Sequence, residues 1–299
     1  MIDRFRGVIP ALLSPTDARG GLSLKPLPRL LRFFKDAGCG GVFVGGSSGE
    51  GFFLTTAERK RLAEAVVREL AGDLPAVIHV GAMDIRAAEE LARHAGRIGA
   101  AGISSVMPFY YGYSLKEARD YYQALAAASG LPLIIYVYSG ASSIKFTPDS
   151  FIETMGGIRN LYGLKYTAMT LHEMQAMQQL SGGRLRTYGG WDELALPYLV
   201  MGCDGIIGTN YNCMPEPFVA MYRALKSGDV AEAMRRQEIT TKALYQLAAI
   251  SPVERAKAGC LVRGFDLGRA RRPMGAADPS TRATLKRVLA ELGLGRVRA

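Results

Sequence analysis

The sequence predicts an α/β protein, a (β/α)8 TIM barrel with a C-terminal helical extension. Three observations lead there. Short β-rich runs alternate about eight times with longer amphipathic helical stretches, a pattern that implies parallel strands joined by crossover helices. Eight such units in roughly 225 residues match a closed barrel, whereas an open doubly wound sheet more often stops at five or six strands. No linker-like or low-complexity segment marks a second domain in the 299 residues.

In chain order the candidate strands are Val8–Leu13, Gly41–Val44, Ala76–Val80, Gly102–Met107, Leu131–Tyr136, Leu161–Lys165, Leu185–Tyr188 and Gly205–Ile207. Between them run helical patterns over Leu27–Ala37, Ala57–Leu70, Ile85–Ile98, Leu115–Ala128 and Leu171–Leu180. Thr55-Thr56-Ala57-Glu58 reads as a capping box opening the second of these, because a threonine hydroxyl and a glutamate three residues on satisfy each other's backbone N–H. Residues 1–225 are thus assigned to the barrel. Residues 226–299 read as helices throughout Ala231–Leu294, packed on the barrel as one structural unit.

Bulk composition narrows the function. Hydrophobic residues make up 48% of the chain and charged residues 21%, enough for a sizeable core. No apolar run approaches the roughly 20 residues of a membrane helix, and the first residues lack a long apolar stretch, so a cytoplasmic protein away from membranes is expected. Cys39, Cys203, Cys213 and Cys260 are scattered, with no CxxC pair and no histidine at ligand spacing. They read as small buried hydrophobes in a reducing compartment, and no metal is expected. The net charge is +10. Its densest cluster, Arg263, Arg269, Arg271 and Arg272, has only Phe265 among it, unlike the aromatic-laced patch of a nucleic-acid binder. That cluster reads as a solvated basic face or a subunit contact. A positive protein also draws in anionic substrates.

The chemically unusual residues fall at the C-terminal ends of strands, the face on which barrel active sites are built. Ser47 and Ser48 follow the second strand, Tyr110 and Tyr111 the fourth, and Tyr136 ends the fifth. Lys165 ends the sixth, Asp192 and Glu193 follow the seventh, and Thr209 follows the eighth. Lys165 sits in the apolar run Leu161-Tyr162-Gly163-Leu164-Lys165-Tyr166. Burial there disfavours the ammonium form and supplies the neutral amine that a Schiff base needs, unless the stem merely crosses the rim to water. Lys145 is the rival, but it lies in a loop just before a helix start at Thr147-Pro148. Gly45-Gly46-Ser47-Ser48-Gly49-Glu50-Gly51 contains the string of a hydrolase nucleophile elbow. The helix begins too late for that, and His79, His94 and His172 offer no base. An anion-binding turn, or a plain Gly-rich loop, fits better. Tyr136 is either a core aromatic or a proton carrier beside Lys165. Asp192 either accepts bonds from substrate hydroxyls or caps the helix starting near Glu193.

Together these strings resemble the dihydrodipicolinate synthase / N-acetylneuraminate lyase family of class I aldolases. The matching stretches are Gly45-Gly46-Ser47-Ser48-Gly49-Glu50, Pro108-Phe109-Tyr110-Tyr111, the strand ending at Tyr136, Gly163-Leu164-Lys165-Tyr166-Thr167 and Cys203-Asp204-Gly205-Ile206-Ile207-Gly208, in family order from Gly7 to about Gly275. Gly190-Trp191-Asp192-Glu193 and Gly208-Thr209-Asn210-Tyr211-Asn212 resemble the lyase branch, and Ala141 stands where the synthase branch carries an arginine for a second carboxylate. Two stretches depart from the family: Tyr136-Val137-Tyr138-Ser139 in place of Tyr-Asn-x-Pro, and Thr167-Ala168-Met169-Thr170 in place of a Thr-Ser-Gly-Asp-like run.

The resemblance implies a carbon–carbon lyase that forms a Schiff base between Lys165 and a 2-oxo acid such as pyruvate, with no cofactor. Tyr136 is the implied proton carrier, and Tyr110 the relay partner of Ser47, donated in the family by a neighbouring subunit. Ser47, Ser48 and the Ile207 carbonyl are placed at the pyruvate end. Thr167, Gly190, Asp192, Glu193 and Thr209 are placed along a polyhydroxylated tail, as in an N-acetylneuraminate-like or 2-keto-3-deoxy sugar acid. A homotetramer, as a dimer of dimers, is implied as well. Dehydration or deamination from the same iminium, dihydrodipicolinate synthesis (disfavoured by Ala141) and a non-catalytic 2-oxo acid sensor are the alternatives.

Overall fold

Among the described residues, eight parallel strands pair in chain order and close into a barrel. The computed structural model describes residues 1–140, 144–275 and 277–297. The strands are β1 (Gly7–Leu12), β2 (Val42–Val44), β3 (Ala76–His79), β4 (Gly102–Val106), β5 (Leu133–Tyr138), β6 (Leu161–Thr167), β7 (Arg186–Gly189) and β8 (Gly205–Gly208). The helices that cover them are α1 (Leu27–Ala37), α2 (Thr56–Leu70), α3 (Ile85–Arg97), α4 (Leu115–Ser129), α5 (Pro148–Met155), α6 (Leu171–Leu180), α7 (Ala195–Val200) and α8 (Pro215–Lys226). The box predicted at Thr55 and Glu58 opens α2, with both reciprocal bonds present.

Strand alternation sorts the side chains into two apolar layers. Ile9, Ala11, Phe43, Val77, Ile134, Tyr188 and Ile207 cluster with Phe5 inside the bore. Val8, Val42, Val44, Ile103, Ile135, Leu164 and Ile206 face the helices in a separate cluster. The period of two then fixes the next inward positions, Tyr136 after Ile134 and Lys165 after Gly163. Two strands extend two residues beyond their expected ends: the β5–β6 register continues from Tyr136↔Lys165 to Tyr138↔Thr167. Tyr136 and Lys165 therefore lie two residues inside the mouth rather than at its edge.

The seam between β1 and β8 pairs Gly7↔Gly205 through Pro10↔Gly208. Just past it, the fully buried Asn212 acts as a clip. Its Nδ2 donates to the Ala11 carbonyl (2.8 Å) and the Thr209 carbonyl (2.9 Å), and its Oδ1 accepts from Leu13 N (3.1 Å).

The chain after α8 departs from the all-helical expectation. It forms α9 (Val230–Gln246), α10 (Pro252–Val262) and α11 (Pro279–Glu291), with a non-helical stretch from Arg263 to Gly275. Gly264 and Gly268 take left-handed backbone (φ 96° and 69°), which ends helical propagation. At Gly268 a Cβ would lie 2.2 Å from the Thr16 carbonyl oxygen, so only glycine allows this stretch to lie against the barrel mouth. Two arginines of the basic cluster are correspondingly not solvated. Arg263 is buried, paired with Glu216 and 5.3 Å above the Phe33 ring, and Arg271 pairs with Glu58. Arg269 and Arg272 remain exposed.

The clip yields a stability prediction. Asn212→Leu removes the side-chain partner of the buried Leu13 N–H and Ala11 carbonyl, while the Thr209 carbonyl keeps the Asn212 backbone N–H (3.3 Å), and should cost about 2–4 kcal/mol, since each unpaired buried group costs about 1–3 kcal/mol. Urea unfolding measures this, and a loss below about 1 kcal/mol would show that the seam closes without the clip.

Candidate active site

Lys165 is 5% exposed, and its Nζ lies 3.9 Å from the centre of the Tyr136 ring and 4.6 Å from that of Phe43. No carboxylate pairs with it among the described residues. The amine is thus held between two aromatic faces, and the reading of a lysine stem reaching water does not describe it. Lys145 is exposed beside the Thr147 cap of α5. The buried Tyr136 ring stacks on Tyr138 and meets Phe43 and His79 edge-on, while its hydroxyl has no hydrogen-bond partner among the described residues.

His79 lies beside them on β3, fully buried. Its Nε2 accepts from Val106 N at 3.2 Å, and burial drives its basicity far down, with the charges of Arg59 and Lys165 adding to the effect. It is a neutral wall of the bore. Arg59, reaching in from α2, donates to the carbonyls of His79 (2.7 Å) and Gly81 (2.8 Å) and fixes the end of β3.

Phe43 connects the amine to the Gly-rich turn. A Cβ on Gly46 would fall 2.6 Å from the Phe43 ring, so the turn rests directly on it. The N–H groups of Ser47, Ser48 and Gly49 donate to no acceptor among the described residues, and the Ser47 hydroxyl is exposed and unpartnered. Ser48 Oγ lies 2.7 Å from Thr209 Oγ1, across from β2 to β8. Successive free N–H groups with hydroxyls beside them form a nest suited to a carboxylate. No helix starts until α2, so the turn is not a nucleophile elbow. The Ile207 side chain fills the bore below Thr209.

On the other side of Lys165, Thr167 Oγ1 is buried without a hydrogen-bond partner, and a Cβ on Gly190 would fall 1.8 Å from it. Glycine at 190 is what leaves that hydroxyl space. Asp192 is buried and does not cap the turn it begins. Its Oδ2 instead accepts from Asn210 N (2.8 Å) and Asn210 Nδ2 (2.6 Å) in the turn after β8. Asn210 Oδ1 accepts from Arg255 Nε (3.2 Å), and Arg255 reaches the half-exposed Glu193 at 3.5 Å. Gly208 leaves room for Asp192 Oδ1, which would otherwise meet a Cβ at 1.9 Å.

Tyr110 is not brought to Ser47 within one chain. It is 77% exposed, with the Tyr111 ring 4.9 Å from its own and no hydrogen bond among the described residues. Ala141 lies outside the described residues. Asn210, Arg255 and Arg59 were not singled out from the sequence. Arg255 and Arg59 sit at ordinary charged positions of helical patterns, and nothing local shows that their heads are buried.

The profile described as "Dihydrodipicolinate synthetase family" matches residues 4–292. An N-acetylneuraminate lyase of Citrobacter koseri is 37% identical over 245 residues, 82% of each chain. Among solved structures, a catalytic lysine mutant of Ruminococcus gnavus sialic acid aldolase aligns with a TM-score of 0.93 at 26% identity, covering 98% of this chain and 97% of that one. CdNal from Clostridium difficile, solved in complex with mannosamine, aligns with a TM-score of 0.91 at 27% identity, covering 96% and 98%.

The electrostatics of Asp192 give a pH prediction. Burial pushes its carboxyl up from 3.8 to about 6, against the two Asn210 bonds, and the Glu193 charge adds to the rise. A folded-state value above the unfolded one means that the associated stability is present below about pH 4 and lost as pH rises to about 6. Asp192→Asn, which keeps an acceptor oxygen for Asn210, escapes that loss. Its stability relative to the parent should improve by about 2–3 kcal/mol between pH 4 and pH 7. Unfolding curves across that range test this, and a constant difference would mean the carboxyl titrates as it does in water.

Proposed function

This chain belongs to the dihydrodipicolinate synthetase family and is a carbon–carbon lyase of the class I aldolase type; we propose that Lys165 forms a Schiff base with pyruvate, or with a polyhydroxylated 2-oxo acid that releases it. The observation that carries this reading is the Lys165 amine, buried in the bore against Tyr136 with no carboxylate beside it. An amine so placed is deprived of solvation for its charged form and is suited to attack a ketone.

In the cleavage direction the neutral amine adds to the C2 ketone and loses water, giving an iminium. Tyr136 takes the proton from the C4 hydroxyl, the C3–C4 bond breaks, and its electron pair moves to the iminium as an enamine. An aldehyde leaves. Protonation at C3 and hydrolysis then free pyruvate and the amine. The Ser47–Gly49 nest, with Ser48 and the Ile207 carbonyl at the same end, holds the C1 carboxylate. Thr167, Gly190 and Thr209 line the path of the tail. Glu193 is the half-exposed acceptor for tail hydroxyls, and Asp192 holds the turn that carries Asn210.

The sugar-acid substrate, N-acetylneuraminate-like or a 2-keto-3-deoxy sugar acid, is supported by the lyase and aldolase names of the relatives, which favour cleavage over dehydration or deamination, synthase activity or a silent sensor. Exposed Phe53, Met83, Phe109, Tyr110 and Tyr111 on the loops after β2, β3 and β4 support a homo-oligomer, a dimer of dimers in which a neighbour's Tyr110 reaches Ser47. Four buried free thiols suit a reducing cytoplasm.

Incubation with pyruvate and borohydride should add one reduced pyruvyl group per chain, on the Lys165 peptide; an adduct on Lys145 or none would overturn the mechanism. Tyr136→Phe should retain trapping while turnover falls about 10²–10⁴-fold, and near-normal turnover would return Tyr136 to a packing role. Pyruvate release across sialic acid, 2-keto-3-deoxy sugar acids and short 2-oxo acids reads the substrate class. Efficient condensation of pyruvate with aspartate semialdehyde would place the chain with the synthases instead.

A further inference from the structure

Glu50 combines three unusual properties. It is 2% exposed, it is a non-glycine residue with left-handed backbone (φ 57°), and it lies inside the Ser47–Gly51 turn. The other such residue among those described, Ala71, ends a helix, where that conformation is ordinary. In a surface turn glycine would serve at position 50 without strain. The side chain explains the glutamate. Its Oε1 lies 2.6 Å from Lys257 Nζ, and its Oε2 accepts from Arg271 N at 2.6 Å. Lys257, on α10, is 3% exposed and also donates to the Arg269 carbonyl at 2.8 Å. A buried ion pair thus joins the Gly-rich turn to the C-terminal extension.

The rest of the turn is lightly held. Glu50 N donates to Ser47 O (3.0 Å), Gly51 N to Gly46 O (3.1 Å), and Ser14 Oγ to Gly49 O (2.5 Å). These bonds wind the turn but leave the N–H groups of Ser47, Ser48 and Gly49 free among the described residues. What keeps a non-glycine residue at positive φ, with those groups held open, is the anchoring of Glu50 from outside the turn.

We propose that the Glu50–Lys257 pair is a latch that sets the carboxylate-holding nest, which makes both of them positioning residues for the C1 carboxylate of the substrate. Neither touches the reacting atoms. Their effect passes through the backbone of residues 47–49, and the inference rests on the assignment of that nest to the carboxylate in the proposed reaction.

Borohydride trapping on Lys165 with two ketones, pyruvate and its uncharged methyl ester, separates positioning from general stability. The parent protein should trap pyruvate in preference to the ester. In Glu50→Gln and Lys257→Met that preference should fall about 10- to 100-fold, the loss expected from one or two charge-assisted hydrogen bonds, while the rate with the ester changes little. Each single variant risks leaving a lone buried charge, so Glu50→Gln/Lys257→Met supplies a folded control that buries none. It too should lose the preference. If the double variant keeps the parental preference, or if every variant slows both ketones equally with a lowered Tm, the latch is overturned and the pair is a packing feature. No trapping of either ketone by the parent would instead refute the proposed reaction itself.

Discussion

A lysine amine buried among aromatic rings is the constraint to which the rest of the structure answers. Removing an ammonium from water without a carboxylate partner is costly, and the rings of Tyr136 and Phe43 return only part of that. Such a group persists only where the surroundings leave it no escape. Closure of eight strands provides this, because Lys165 is paired on one side to Tyr136 and on the other to Tyr188, and its inward direction is fixed by Leu164 facing the helices. A slip of one residue would turn the amine into the helical layer and Leu164 into the bore. The hydrophobic pattern that specifies the register therefore also specifies the chemistry.

Strand alternation explains why so much of this was legible in sequence. Apolar runs located β1 to β8 within a few residues, and the rule that function gathers at strand ends picked out Tyr136, Lys165 and Ser48–Thr209 before any coordinates. Family resemblance added the order of the motifs. What sequence did not reveal is long-range and polar. Asn212 is an asparagine in a loop until it is seen bonding three backbone groups of the seam. Arg255 and Lys257 occupy helical positions that look solvated, and their burial depends on segments far away in the chain. The break between α10 and α11 falls where Gly264, Gly268, Pro273 and Gly275 interrupt the chain, breakers that the all-helical expectation passed over. Only the left-handed glycines at 264 and 268 reveal a chain pressed against the mouth.

The two ends of the site differ in how they treat charge. At the nest, donors face outward unopposed: three backbone N–H groups, the Ser47 hydroxyl and the nearby Lys165 amine, a set that favours an anion. At the other end, the charge of Asp192 and Glu193 is tempered by Asn210 and Arg255. Burial raises the Asp192 carboxyl to about 6 and Arg255 contacts Glu193, so this end carries less negative charge than two free carboxylates would. A net charge of +10 is compatible with this division, since Arg263, Arg271 and Lys257 are paired with Glu216, Glu58 and the buried Glu50.

Those buried partners give the C-terminal extension a structural purpose. It meets the catalytic face at several separate points: Arg255 at Asn210, Lys257 at Glu50, Arg271 at Glu58 and at the Phe53 carbonyl, and the Leu267 carbonyl at Thr16 N. All but Glu58, in the first turn of α2, lie on loops that follow β8, β2 and β1, which are neighbours around the seam. Barrel loops on that face are the mobile part of the architecture, because little of their backbone is held by the sheet. Tying three adjacent loops to the C-terminal extension restricts that freedom around the Ser47–Gly49 turn. The loops after β4 and β5, which receive no such tie among the described residues, include exposed Tyr110 and Tyr111. One side of the mouth is thus held from within the chain, while the side bearing those tyrosines presents an exposed apolar surface.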